Sequence, residues 1–334
     1  MKNQCINYEI LPSESKVFLK SLDLDILEVN KLTEDGKLLF LIKTKTSQYV
    51  LKVNLPSNRL VAKIRAKLIG SIGFQQECLF YKTIKKNDFW RNYPEYFYHD
   101  EYNLLIGFLP KNNVECIKYE IENWQLAIKT LSIFHWNTTL PNKGLKSFLH
   151  RIIFSPQGVA FRKGIPTVKK VLGLNASIRF GWEIILCIRQ QPKTSRRFLS
   201  HNDFLCNNLM FSPDFSKVFI IDFQDITNES RWPLYDLIRL IWHGKSDFQL
   251  EIKKEIIKCY IQNLPSDIVK SLNIEVQVRF CVLVCVIKSL QWSINNGHNY
   301  SEQVTFLRSI LRNNKINEYN NEIVDIIKEH IYER

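Results

Sequence analysis

Four polar residues of suggestive type follow one another over a short span: His201, Asp203, Asn208 and Asp222. The first three lie in "SHNDFLCNNLMF" (200–211). The fourth opens "DFQD" directly after the apolar run "VFII". A carboxylate such as Asp203 can orient or deprotonate a hydroxyl. The side-chain oxygens of Asn208 and Asp222 are hard ligands suited to Mg²⁺, which takes only one or two carboxylates and keeps several waters. Together they equip a chain to move a phosphoryl group. That reaction demands positioning and charge neutralisation more than covalent chemistry.

The spacing matches the H-x-D-x-x-x-x-N pattern of a kinase catalytic loop, with Asp222 where a protein kinase carries the Asp of "DFG". "NLMF" and "KVFIIDF" read as two short strands around the turn "SPDFS". Such a hairpin would return Asp222 to the end that holds Asn208, close enough to share a metal. A kinase also needs a lysine on an early strand and a glutamate on the next helix. "QYVLKVN" supplies Lys52 and "FQQECLFYKTI" supplies Glu77, in that order. Seen alone, Lys52 would be a solvated strand lysine, Glu77 an exposed helix residue and 201–208 a polar turn capped by Asp and Asn. Their joint order favours the chemical reading. The segment "TEDG", with Gly36 as its single glycine, stands where a phosphate-covering loop belongs. Its backbone N–H groups could form an anion nest, or it could be a plain hairpin turn.

The elements that must position these groups come in two kinds. After a short opening helix in "ESKVFLKSL", the runs "ILEVNKL", "KLLFLIKT" and "QYVLKVN" alternate as strands do. The short turns between them imply antiparallel hairpins, since parallel strands need crossovers of a dozen residues or more. "RLVAKIRAKLI" and "FQQECLFYKTIKK" predict helices with a break near Gly70 and Gly73, and "YFYHD" and "YNLLIGFL" two further strands. From Trp124 onward the period is helical: "WQLAIKTLSIFHW", then "LYDLIRLIW", "EIKKEIIKCYIQNL", "QVRFCVLVCVIKSLQWSI", "QVTFLRSILRN" and "NEIVDIIKEHIY". Residues 138–198 are mixed and basic, with Pro and Gly interruptions and no clear period. A sheet-rich first part and a helical second part predict an α+β fold, divided as 1–110 and 111–334.

Composition sets the outer bounds. The 334 residues are 45% hydrophobic and 24% charged, which excludes a disordered or coiled-coil chain. The formal net charge is +13, yet the basic pairs Lys85-Lys86, Lys169-Lys170, Arg196-Arg197 and Lys253-Lys254 are scattered. That pattern favours compositional drift or phosphate binding over nucleic acid. Eight cysteines without a CxxC pair, and a start without the apolar core of a signal peptide, predict a reducing, cytoplasmic location. No apolar run is long enough to span a membrane.

With these motifs in hand, the chain resembles the aminoglycoside phosphotransferase and choline kinase superfamily, whose fold is that of the protein kinases. The resemblance is carried by "HNDFLCNNLMF", "IIDFQD", "PLYDLIRL", "YVLKV", "QECLFY" and "LSIFHW", over roughly residues 25–245. "FQQECLFYKTI" and "IDFQ" also resemble the ecdysteroid-kinase-like branch, and "IDFQD" with "PLYDL" the sugar-kinase branches. The resemblance implies a bilobal protein-kinase-like fold with a small antiparallel-sheet N-lobe and a larger, mainly helical C-lobe. It implies transfer of the γ-phosphate of ATP, or GTP, to a hydroxyl of a small-molecule acceptor, with Mg²⁺ as cofactor. Asp203 would be the catalytic base, His201 a brace for its loop, and Asn208 and Asp222 the metal ligands. Lys52 paired with Glu77 would hold nucleotide phosphates, and backbone groups of Gly107 and Leu109 would face the adenine. Asp236 would fix the catalytic loop from the helix below, and His135 would serve packing. Asn202 stands where the superfamily commonly has glycine. The superfamily's acceptors include cations bound at acid-lined sites, whereas the basic "FRKGIPTVKK" and "KTSRR" would suit an acidic or phosphorylated acceptor. The alternative is a catalytically silent kinase fold that binds a nucleotide or a partner.

Overall fold

The structure is a computed structural model that describes residues 8–32, 38–54, 71–86, 92–110, 120–137, 140, 145–243, 248–313 and 318–332. The "TEDG" turn with Gly36, and the helix expected over 59–69, lie outside the described residues. The fold is α+β and separates into two compact units. Unit 1 comprises 1–112 and 210–224, and unit 2 comprises 113–209 and 225–334.

Unit 1 is built on a five-stranded sheet, β1 (Ile26–Lys31), β2 (Leu38–Thr44), β3 (Gln48–Val53), β4 (Tyr96–His99) and β5 (Asn103–Gly107), in the order β1-β2-β3-β5-β4. Every neighbouring pair is antiparallel. Thr44 and Ser47 close the β2–β3 turn: the Thr44 N–H donates to the Ser47 carbonyl at 2.9 Å, and the Ser47 N–H to Thr44 Oγ1 at 3.0 Å. Strand residues alternate between faces. Tyr49, Leu51 and Val53 therefore join Phe40 and Ile42 in one core, capped by Phe18 and Leu19 of α1 (Ser13–Ser21). Lys52 falls on the opposite face, where α2 (Ser71–Lys86) brings Glu77 to it. The helix runs unbroken through Gly73; Gly70, the other glycine at which a break is expected, lies outside the described residues.

The hairpin of β7 (Leu209–Phe211) and β8 (Val218–Ile220) also packs with unit 1. Asn92 holds it: its carbonyl accepts from Ile220 N–H and its amide donates to the Val218 carbonyl, both at 2.9 Å. Behind the hairpin, Phe223 packs against Phe80 with ring centroids 4.1 Å apart.

Unit 2 is mainly helical. It contains α3 (Ile121–Asn137), α4 (Leu145–Phe154), α5 (Pro156–Val159), a π-turn (Ala160–Gly164), α6 (Ile165–Leu172) and α7 (Leu174–Gln190). After a two-stranded ribbon of β6 (Phe198–Ser200) and β9 (Thr227–Glu229) come α8 (Tyr235–His243), α9 (Leu250–Gln262), α10 (Ser266–Ser271), α11 (Ile274–Asn296), α12 (Ser301–Asn313) and α13 (Glu318–Tyr332). Between residues 145 and 172 the helices are short and sit end to end, which obscures a sequence period there. Pro156 and Pro166 occupy first-turn positions, where a missing N–H costs nothing. Gly164 is needed for close packing, since a Cβ there would lie 2.5 Å from Phe180 Cε1.

The centre of unit 2 is α11. Residues 280–287 are all buried, as an all-round apolar helix must be. Asn273 caps its first turn and Gly297, at φ 69°, ends it in the left-handed state. Trp232 stacks on Phe280 with ring centroids 3.6 Å apart, and both are fully buried. Trp232→Ala would empty that site. It is expected to destabilise unit 2 by about 3–5 kcal/mol, read as an earlier urea midpoint at unchanged m-value.

Candidate active site

In unit 1 the structure brings Lys52, Glu77 and Asp222 together. Lys52 Nζ lies 2.7 Å from Glu77 Oε2 and 2.7 Å from Asp222 Oδ1. Burial works against the lysine's charge, but Asp222 and then Glu77 outweigh it and hold the ammonium's pKa above its ordinary value. Glu77 Oε1 also accepts the Phe223 N–H at 3.3 Å. The ion pair is thus tied to the backbone just after Asp222. Asp222 itself has φ 63°, a left-handed conformation that Asp and Asn tolerate better than most residues.

In unit 2 the residues around Asp203 form a second cluster. Strand β6 delivers the chain to His201, and Asp236 in the first turn of α8 receives it. The Asp236 carboxylate accepts from Ser200 Oγ (2.9 Å), His201 N–H (2.7 Å), Asn202 N–H (2.8 Å) and His135 Nε2 (2.9 Å). Burial pulls the Asp236 pKa up, but these hydrogen bonds, His135 foremost, hold it below the usual carboxylate range. His135 is braced in turn by the Tyr260 hydroxyl at 2.7 Å. His201 is fully buried, with its ring packed between Phe134 and Phe204. Asn202 has φ 64°, which explains a position where glycine would be at ease. Its side chain adds what glycine could not: Nδ2 donates to the Asp225 carbonyl (2.6 Å) and to Thr227 Oγ1 (2.7 Å).

Two cations not singled out from the sequence converge on Asp203. Lys288 Nζ of α11 lies 3.1 Å from Asp203 Oδ1, and Arg239 Nη2 of α8 lies 3.3 Å from the same oxygen. Lys288 also donates to the Asn202 carbonyl at 2.6 Å and pairs with Asp225 at 3.4 Å. Burial raises the Asp203 pKa, but Lys288 and Arg239 prevail and hold it well below the usual aspartate value. Lys163 of the π-turn is near enough to feel Lys288, Asp225 and Asp203; burial, then Lys288, pull its pKa down. A signal for Lys288 was present in the sequence, one lysine closing the apolar run "FCVLVCVIK". Only packing shows which way it points.

Asn208 Nδ2 donates to the Asp203 carbonyl at 2.8 Å, so its amide orientation is fixed with the nitrogen turned to the loop and Oδ1 turned from it. Asn208 offers one amide oxygen and Asp222 one carboxylate, each of the hard-oxygen type that Mg²⁺ takes. Among the described residues no group of three or more His, Cys, Asp or Glu forms an all-protein metal cage. At the expected hinge, the Gly107 N–H is committed to the Glu95 carbonyl (2.7 Å) and the Phe108 N–H to the Gln48 carbonyl (3.0 Å). The Leu109 N–H is the next along the chain.

The chain is similar to known proteins in sequence over part of its length and in fold over most of it. Residues 172–266 match the phosphotransferase enzyme family. No curated protein matches the sequence. Among solved structures, the choline kinase LicA from Streptococcus pneumoniae is 13% identical with a TM-score of 0.57, covering 97% of this chain and 100% of that one. The ternary complex of APH(2″)-IIa with streptomycin and ATP is 17% identical at TM-score 0.57, covering 90% and 96%. An ethanolamine kinase from Plasmodium vivax is 13% identical at TM-score 0.55, covering 94% and 85%. At such identities the likeness is one of fold. The chain thus resembles the aminoglycoside phosphotransferase and choline kinase superfamily in fold over nearly its full length, and in sequence over 172–266.

Because Lys288 is the strongest influence lowering the Asp203 pKa, Lys288→Met is expected to move the Asp203 titration upward in pH. A ¹³C NMR titration of the Asp203 carboxyl carbon in both proteins would show it. An unchanged midpoint would mean that Lys288 does not set the charge of this group.

Proposed function

We propose that this chain, a phosphotransferase by family and fold likeness, transfers the γ-phosphate of ATP to a hydroxyl of a small molecule. The observation that carries this reading is the placement of Asp203. Its loop is locked by Asp236, and two cations hold one of its oxygens. Oδ1 is occupied by Lys288 and Arg239, so Oδ2 is the oxygen we assign to the acceptor hydroxyl. As the acceptor oxygen forms its bond to phosphorus, the bond from the γ-phosphorus to the bridging oxygen breaks, the nucleoside diphosphate leaves, and the hydroxyl proton passes to Asp203. A carboxylate of lowered pKa is a weak base. That suits a loose transition state, in which the proton is needed late and orientation matters first.

Lys52, held charged by Glu77 and Asp222, would contact the nucleotide phosphates. Asn208 and Asp222 would hold Mg²⁺, which, when bound, neutralises phosphate charge. ATP is assigned because one protein of the same fold is solved with ATP; GTP stays as a tested alternative. The cations near Asp203, namely Lys163, Arg239 and Lys288, are countered there by Asp203 and Asp225. This balance supports an acceptor that is neutral or anionic rather than the cations bound by choline and ethanolamine kinases. Cys78, Cys187, Cys206, Cys259, Cys281 and Cys285 are free thiols, in keeping with a reducing, cytoplasmic setting. No described helix is long and apolar enough to cross a membrane.

The test is phosphoryl transfer to a pooled panel of sugars, amino alcohols, aminoglycosides, hydroxy acids and phosphorylated alcohols, with Mg²⁺ and ATP or GTP, read as added phosphate mass. A product is expected with ATP, from a neutral or acidic acceptor. Asp203→Asn should lower its rate by about 10²–10⁴-fold, the range of general-base loss. Product formation undiminished in Asp203→Asn would overturn the assignment of that residue. No product with either nucleotide would favour the silent-fold alternative.

A further inference from the structure

Part of the basic stretch 138–198 is not explained by the site around Asp203. Lys163 of "FRKG" stands in the field of Asp203, whereas Phe161 and Arg162 beside it, together with "KTSRR", line a separate cavity of about 870 Å³ within unit 2. Asp203 is not among its lining residues. Strand β6 separates the two places along the chain: Arg197 precedes it and His201, which leads to Asp203, follows it.

The cavity wall carries six cations: Arg151, Arg162, Lys193, Arg196, Arg197 and Arg231. Its single acid is Glu229, whose carboxyl burial pushes up to about 7, so that near neutral pH it cancels only part of one positive charge. Two of the guanidiniums are fixed by neutral partners. Arg231 Nη1 donates to the carbonyls of Ile188, at 3.0 Å, and Gln191. Arg162 Nη2 donates to the Ile153 carbonyl at 3.1 Å. A carbonyl orients a guanidinium without neutralising it. Arg196 lies over the Trp136 ring at 5.4 Å and faces Asp267 at a loose 3.8 Å. Like charges gathered around one concavity repel each other, and an anion filling it relieves that cost. Rigid guanidinium forks match phosphate oxygens two at a time.

We propose that this cavity binds a small phosphorylated anion, at a site distinct from the reaction centre at Asp203. Its size lies in the ~300–1,000 Å³ range of small-molecule sites. Its concave form argues against nucleic acid, for which the charges would run along a face. The site belongs to unit 2 alone and does not depend on the kinase assignment, because its test reads binding rather than turnover.

The experiment is calorimetric titration of inorganic pyrophosphate into the full chain, without added metal, for the wild type and for Lys193→Glu/Arg197→Glu. Both side chains are exposed, so the variant should melt as the wild type does. The wild type is expected to bind, and the double charge reversal to weaken binding by about tenfold or more, a factor worth about 1.4 kcal/mol. Absence of binding to the wild type at low salt, or equal affinity in the two proteins, would overturn the proposal.

Discussion

The Asp236 carboxylate is the fixed point of unit 2. A fully buried carboxylate is tolerable only when its lone pairs are satisfied. Here four donors satisfy them: one hydroxyl, two successive backbone N–H groups and one imidazole. Two of those donors belong to the loop that presents Asp203. The loop cannot take another path without orphaning a buried charge, and the Asn202 amide ties it further to Asp225 and Thr227. The first turn of α8 thus fixes the backbone of the loop that carries Asp203.

Polar fixation of the same kind accompanies left-handed backbone at both motifs. Asn202 and Asp222 both adopt left-handed conformations, at φ 64° and 63°, and each stands at one of the two chemical motifs. Such conformations persist where surroundings over-determine them. For Asn202 the surroundings are Asp236 on its N–H and Asp225 and Thr227 on its amide. For Asp222 they are Lys52 on its carboxylate and Glu77 on the next N–H. Strain and polar fixation occur together at both places, while the apolar core of α11 lies in relaxed helix.

The positive charge of the chain is not spread evenly in its effects. Lys52 is matched by two carboxylates, and Lys288 by Asp203 and Asp225. Around the unit 2 cavity, Arg162 and Arg231 donate to backbone carbonyls and Arg196 lies over an aromatic ring. An ion pair neutralises the charge it fixes, whereas a carbonyl orients a guanidinium without neutralising it. A net charge of +13 says nothing of this division.

Much of the architecture was legible from local rules. Antiparallel strands follow from short turns between alternating runs, and the long helices from their 3.6-residue period. Lys52, Glu77 and Asp222, far apart in the chain, are picked out by residue type and order, and the structure joins them in one ion-paired cluster. The helices of 145–190 were obscured by Pro and Gly at their ends, which mark helix termini and loops alike. Tertiary structure alone decided the rest. It placed the hairpin 210–224 with the sheet through Asn92 and Phe80, turned Lys288 from an apolar helix onto Asp203, and parted Lys163 from Arg196 and Arg197. These outcomes depend on contacts between residues far apart in the chain. Local propensity and periodicity carry no information about such contacts, because packing and desolvation choose them only once the elements meet.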